Sequence, residues 1–265
     1  MNDPMGNVKR ILAVIIAVFM FMSGALAESD DFSRARSLAD FMQDHYGVTI
    51  LIGDECKSVE PFGFQIGDTP GGVSPLLKML GWYSFEDDIK RIDDYFSFYP
   101  PGFFEKFRCA EAENGLRILL VLQFLVEGTP MPSATNVQDG YYNVYLAVNI
   151  FNRLNFHHEI WHAMDYRITS EDPDAFAGWN DLNPDEFQYD YDYFMKDIWE
   201  HAEAMDDWFV RQYSTVNEME DRATVIEAIF DHDHAWWNDR PHLKVKRDRL
   251  LEAAEPIFGN VYYPD

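Results

Sequence analysis

The sequence is poor in cysteine and in basic residues. Cys56 and Cys109 are the only cysteines among 265 residues, which excludes a disulfide-rich scaffold and a cysteine-based zinc knuckle. A single Cys56–Cys109 disulfide stays open, because it depends on geometry. The chain has 21 Lys and Arg against 46 Asp and Glu, with a formal net charge of −25. This field repels nucleic acid and anionic membranes, so we expect neither as a partner. It favours basic ligands, although solvation of an exported protein explains the charge equally well.

Long hydrophobic runs are also scarce, and the one that is present lies near the first residue. Lys9 and Arg10 precede the apolar run Ile11–Met22, and a small-residue segment ends at Ala27. This order is typical of a secretory signal peptide cleaved after Ala27. The run is short for a spanning helix, which needs about 20 apolar residues. We therefore expect a signal peptide over 1–27, a secreted (periplasmic or extracellular) domain over 28–265, and no membrane attachment after cleavage.

The remaining sequence mixes helical periodicity with short apolar runs typical of strands. No internal repeat or interdomain linker interrupts it, and the order of elements predicts one α+β domain. A loop containing Gly128, Pro130 and Pro132 separates the second and third predicted strands. The predicted strands are Val48–Ile52, Leu116–Val126 and Tyr141–Ile150, and the main predicted helices are Ser33–His45, Ser84–Ser97, Arg153–Thr169, Tyr193–Tyr213, Val216–Phe230 and Leu243–Ala254.

One motif carries specific chemistry. Residues 158–162 read His-Glu-Ile-Trp-His, the H-E-x-x-H pattern, within a predicted helix. His158 and His162 lie four residues apart, so both imidazoles face one side of the helix and can hold one zinc ion. Glu159 is offset by about 100° around the axis, where its carboxylate can act as general base on the attacking water. The motif predicts one catalytic Zn²⁺.

A catalytic zinc ion needs a third protein ligand. No third histidine follows the motif, so we look to a carboxylate on another helix. The segment Tyr213–Thr224 begins a predicted helix and is rich in acidic residues. The residues alone leave several candidates open, which are Glu218, Glu220, Asp221, Glu227 and Asp165.

The pairing of H-E-x-x-H with a downstream Glu-Asp-x-Ala helix resembles gluzincin metallopeptidases, most closely the lethal-factor-like group of bacterial zinc-binding peptidases. The resemblance implies Glu220 as the third ligand and Tyr213, seven residues earlier, as donor to the oxyanion. Asn217-Glu218 resembles the thermolysin-type ligand segment instead, which would make Glu218 the ligand. One departure is Thr224, where many gluzincins have an acid that bonds a zinc histidine; Asp165 or Glu227 could substitute.

The similarity extends weakly over Asp88–Phe230. It includes the segments Phe98–Phe104 and Trp179–Pro184. It implies a zincin-like domain whose active-site helix lies beside a small mixed sheet, with Tyr141–Ile150 next to that helix and able to pair with an extended substrate. The expected function is a secreted zinc metalloendopeptidase that hydrolyses a peptide or protein substrate. The alternative is a catalytically degenerate zincin-like protein that binds a partner.

Overall fold

The computed structural model describes residues 30–59, 65–67, 84–126, 128–190 and 207–260. The predicted signal peptide over 1–27 and most of the predicted helix Tyr193–Tyr213 lie outside these ranges. Within them, no helix has the length and apolar character needed to cross a membrane.

The strands of the described residues are β1 Thr49–Ile52, β2 Gln65–Gly67, β3 Gly115–Val121, β4 Gln123–Val126, β5 Thr129–Pro130, β6 Ser133–Gln138 and β7 Tyr141–Ala147. The main sheet has four of these strands and is mixed. Its order is β1–β3–β7–β6, with β1 parallel to β3, β3 parallel to β7, and β7 antiparallel to β6. A second, antiparallel sheet has the order β2–β4–β5. The run Leu116–Val126, predicted as one strand, is thus divided between the two sheets.

The hairpin of β6 and β7 corrects two predictions. Part of the segment before Tyr141 was predicted as loop, but Ser133–Gln138 forms a strand. Asp139 and Gly140 join it to β7 with φ of 56° and 73°, the two positive values of a type I′ turn. β7 was predicted to offer an edge to substrate, yet it is flanked by β3 and β6. In the described sheet, β6 is the strand at this edge, and it packs against the helix that follows β7.

Helices cover one face of the main sheet and together give the mixed helix and sheet content of an α+β protein. Residues 30–46 form α1. The others are α2 Phe85–Phe96, α3 Arg153–Glu171, α4 Glu218–Asp231, α5 His234–Asn238 and α6 Pro241–Phe258. Short 3₁₀ helices span Gly53–Ser58, Phe104–Phe107, Trp179–Leu182 and Gln212–Thr215. The predicted helix Tyr193–Tyr213 is wrong in its described part, because residues 207–213 form no α-helix.

Alternation along β3 and β7 separates two hydrophobic clusters. Leu120 and Tyr142 belong to the large core beneath the helices, whereas Tyr145 faces a smaller cluster with Phe124 of β4. The two cysteines are divided in the same way. Cys56 belongs to the smaller cluster, whereas Sγ of Cys109 lies 3.2 Å from the hydroxyl of Tyr142. Both thiols are free, so the open question of a disulfide is answered against it.

Candidate metal centre

The start of α3 is fixed by local hydrogen bonds. Asn152 accepts from the backbone N–H of Asn155, and the Asn155 side chain accepts from that of Asn152, at 3.0 and 3.1 Å. This reciprocal cap satisfies N–H groups that have no partner within the helix. Just upstream, Asn149 has φ of 65°, and its N–H donates to the buried carboxylate of Asp88 at 3.1 Å. The turn from β7 into α3 is therefore held from α2.

Three side chains from two helices meet at one point. Nε2 of His158 lies 3.0 Å from Nε2 of His162, and these atoms lie 2.9 and 3.4 Å from Oε2 of Glu220. Glu220 is in the first turn of α4, where its backbone N–H donates to the capping side chain of Asn217 at 2.9 Å. Among the described residues, these three form the one group of at least three metal-binding side chains that converges in this way.

The donor set and its spacing fit a zinc ion. Tetrahedral zinc with bonds of about 2.0–2.1 Å places its ligand atoms about 3.3 Å apart, close to the three separations found here. Burial alone would lower the pKa of His158, but hydrogen bonds to Glu220 and Glu227 raise it to about 10. Burial would raise the pKa of Glu220, but hydrogen bonds with His158 and His162 hold that pKa well below its usual range. The cluster therefore stabilises positive charge.

The second nitrogen of His158 also has a carboxylate partner. Nδ1 of His158 donates to Oε1 of Glu227 at 2.7 Å, and Arg211 donates to the same oxygen. Because the carboxylate holds a proton at Nδ1, the nitrogen that would lose its proton to bind a metal is Nε2, which faces Glu220. Thr224, four residues after Glu220, does not contribute an acid to this contact, and its hydroxyl bonds that of Ser214 at 2.7 Å.

Glu159 lies beside the cluster and is held by the sheet. The hydroxyl of Thr135, on β6, lies 2.7 Å from Oε2 of Glu159 and 3.1 Å from its backbone carbonyl oxygen. Sequence reasoning missed Thr135 because it placed this segment in a loop. The signal that could have found it is the dipeptide Asp139-Gly140, which is typical of a tight hairpin.

Tyr213 is half-buried next to the first histidine. Its ring centroid lies 6.0 Å from that of His158, and the guanidinium of Arg211 lies 5.2 Å from its ring centroid. Burial raises the pKa of Tyr213, and the negative charges of Glu220 and Glu159 raise it further. The phenol therefore keeps its proton at neutral pH.

Two other acidic candidates for the third ligand, Asp165 and Glu218, pair with Arg222 instead. Of the two acids that could bond a histidine of the motif, Glu227 bonds His158, whereas Asp165 accepts from Nε of Arg222 at 2.6 Å. Nδ1 of His162 is buried without a hydrogen-bond partner in the described part of the chain. Glu218 is 48% exposed and lies 3.6 Å from Arg222.

Asp221 anchors the first turn of α4 from the opposite side. Its Oδ2 accepts from Tyr189 at 2.6 Å, Lys246 at 2.8 Å and Trp179 at 3.0 Å. Burial lowers the pKa of Lys246 and raises that of Asp221, and in each case the charge of the partner opposes the shift. The contacts join the residue after Glu220 to α6 and to the segment that follows α3. Tyr189 is therefore a half-buried member of this network.

Comparison with known proteins gives a similarity in fold. A solved structure from Bacteroides caccae, described as a "putative zinc-binding metallo-peptidase", matches with a TM-score of 0.51 over 89% of this chain and 88% of that one. The two sequences are 12% identical. No protein-family model and no curated protein matches the chain. The chain therefore has a metallopeptidase-like fold, and its chemistry has to be inferred from its own residues.

Proposed function

We propose that this chain is a secreted zinc metallopeptidase of the gluzincin type. The observation that carries the proposal is the convergence of His158, His162 and Glu220, whose donor atoms lie 2.9–3.4 Å apart. Two imidazoles and one carboxylate are a ligand set of catalytic zinc sites, in which a fourth position stays open. The metallopeptidase-like fold agrees with this assignment.

His158, His162 and Glu220 would hold the ion. A zinc ion bound there supplies Lewis acidity and lowers the pKa of a coordinated water to about 7. Glu159 takes a proton from the attacking water and later gives it to the leaving amine. Tyr213 donates to the oxyanion that develops at the scissile carbonyl. Glu227 and Arg211 keep the first imidazole in the tautomer that presents Nε2.

The substrate is a peptide or protein in an extended conformation. β6 is at the edge of the described sheet and packs against α3, so it offers a backbone edge close to Glu159. An extended peptide can add to such an edge by main-chain hydrogen bonds. The charge of −25 favours basic substrates. Export with cleavage after Ala27 places the enzyme outside the cytoplasm.

The test is hydrolysis of a proteome-derived peptide library by zinc-loaded protein, with the Glu159→Gln variant as control. We expect cleavage by the wild type, and loss of about 10²–10⁴-fold in the variant at equal zinc content. Equal cleavage by both proteins would exclude Glu159 as the base. Stoichiometric zinc without cleavage by the wild type would favour the degenerate binding protein instead.

A further inference from the structure

We propose that Thr135 is a positioning residue for Glu159, holding Oε2 so that Oε1 is the oxygen that takes the proton from water. This inference rests on the proposed function, since it assigns a task within the same site. It joins a strand that the sequence analysis missed to the residue on which the proposed reaction depends.

The first argument comes from hydrogen-bond geometry. A hydroxyl has one proton to donate, and Thr135 has two acceptors near it, Oε2 of Glu159 at 2.7 Å and the Glu159 backbone oxygen at 3.1 Å. The shorter distance and the negative charge of the carboxylate favour donation to Oε2. Within the described ranges, no group donates to Oε1. The two oxygens of the base are therefore not equivalent.

The second argument comes from the rigidity of the donor. Thr135 lies in the middle of β6 and pairs in register with Val144 of the interior strand β7. Its branched side chain has few rotamers, which fixes the hydroxyl relative to the sheet. The Glu159 side chain is thus fixed at its backbone end by α3 and at its carboxylate end by the sheet. Because β6 is also the proposed substrate edge, one strand would set the positions of both substrate and base.

Position matters here because proton transfer requires hydrogen-bond contact between base and water. A glutamate side chain without the Thr135 contact samples other rotamers, and a misplacement of about 1 Å can lower the rate about 10²-fold. Among the described residues, the Thr135 hydroxyl bonds Glu159 and none of the proposed zinc ligands. We therefore expect loss of the hydroxyl to lower kcat while zinc content and KM stay close to those of the wild type.

The activity test compares two variants at the same position. Thr135→Val keeps the shape of the side chain and removes the hydroxyl, whereas Thr135→Ser keeps the hydroxyl. With full zinc in all samples, we expect kcat to fall about 10–100-fold in Thr135→Val and to recover to within about threefold in Thr135→Ser. Thr169→Val, near the end of α3, removes a hydroxyl that bonds backbone oxygens of its own helix, and as the control it should leave kcat unchanged. Equal kcat for Thr135→Val and the wild type would overturn the proposal.

A second test does not depend on activity. The midpoint of thermal unfolding is measured for zinc-loaded wild type, Thr135→Val, Glu159→Ala and the double variant. If the two side chains interact, the double variant shifts the midpoint by less than the sum of the single variants. Additive shifts would overturn the contact. If wild-type protein carries zinc but cleaves no peptide, the proposed function fails while this cycle still tests the contact between Thr135 and Glu159.

Discussion

Nδ1 of His158 donates to the carboxylate of Glu227 at 2.7 Å, and Glu227 lies seven residues after Glu220 on the same helix. Seven residues are about two helical turns, so both carboxylates project from α4 toward one imidazole. α4 therefore supplies the carboxylate next to Nε2 and the partner of Nδ1. A displacement of this helix would therefore disturb both contacts at once.

Glu227→Gln tests the contact to Nδ1. The amide keeps the size of the side chain but removes the negative charge that strengthens the hydrogen bond from His158. We expect zinc affinity to fall about 10–100-fold, as is typical for partners of ligand histidines. Competition with a chromogenic chelator measures the affinity. Asp231→Asn, one turn further along α4 and 43% exposed, is the control. An unchanged affinity in Glu227→Gln would show that the contact does not support the metal.

Glu220→Ala separates the two candidate third ligands. Its Oε2 lies 2.9 Å from Nε2 of His158, whereas Glu218 is half-exposed and faces Arg222. We expect Glu220→Ala to purify with little zinc and Glu218→Ala to keep one zinc per chain. Metal content by mass spectrometry, after dialysis against a weak chelator, is the measurement. The reverse result would identify Glu218 as the third ligand, as the resemblance of Asn217-Glu218 to the thermolysin-type segment implies.

Tyr213→Phe tests the proposed oxyanion donor. The change removes the hydroxyl and leaves the ring that packs near His158. Because the donor acts on charge that develops in the transition state, we expect kcat to fall about 10²-fold while zinc content is retained. Tyr46→Phe removes a hydroxyl that bonds Asp93 and serves as the control. An unchanged kcat with a raised KM in Tyr213→Phe would instead assign the residue to substrate binding.

Lys246→Met tests the buried network beneath the first turn of α4. Lys246 and Asp221 form an ion pair with no exposed side-chain surface. Removing the cation leaves Asp221 buried with an uncompensated charge, so we expect a loss of about 3–5 kcal/mol in the free energy of unfolding. Denaturant titration measures it. The exposed Lys244→Met should change it by less than about 0.5 kcal/mol. Addition of Asp221→Asn to Lys246→Met should recover part of the loss.

The sequence predicted α3 well because its signals are local. The motif residues are four apart on one helical face, and the predicted Arg153–Thr169 matches the observed Arg153–Glu171. The helix carrying Glu220 was also predicted to within two residues at its start. The meeting of these two helices depends on tertiary packing. Only the family resemblance favoured Glu220 over Glu218 in the sequence, and the structure brings Glu220 to the histidines.

The strand β6 was missed because its sequence is mostly polar. Ser133–Gln138 is an edge strand with one partner, so it needs little of the apolar alternation by which strands are recognised. The sequence also left the partner of Nδ1 of His158 open. Asp165 and Glu227 were both candidates, and in the structure Asp165 bonds Arg222 instead. The partner of Nδ1 depends on the packing of two helices distant in sequence, which no local pattern contains, whereas the Asp139-Gly140 turn is a local signal for β6.

The most direct test of the metal centre is an anomalous difference map from crystals of the zinc-loaded protein, measured on both sides of the zinc absorption edge. The account predicts one zinc peak in contact with Nε2 of His158, Nε2 of His162 and a carboxylate oxygen of Glu220. A peak held by Glu218 or Asp165 would contradict the assigned ligand set. The absence of a zinc peak between His158 and His162 would contradict the proposed metallopeptidase itself.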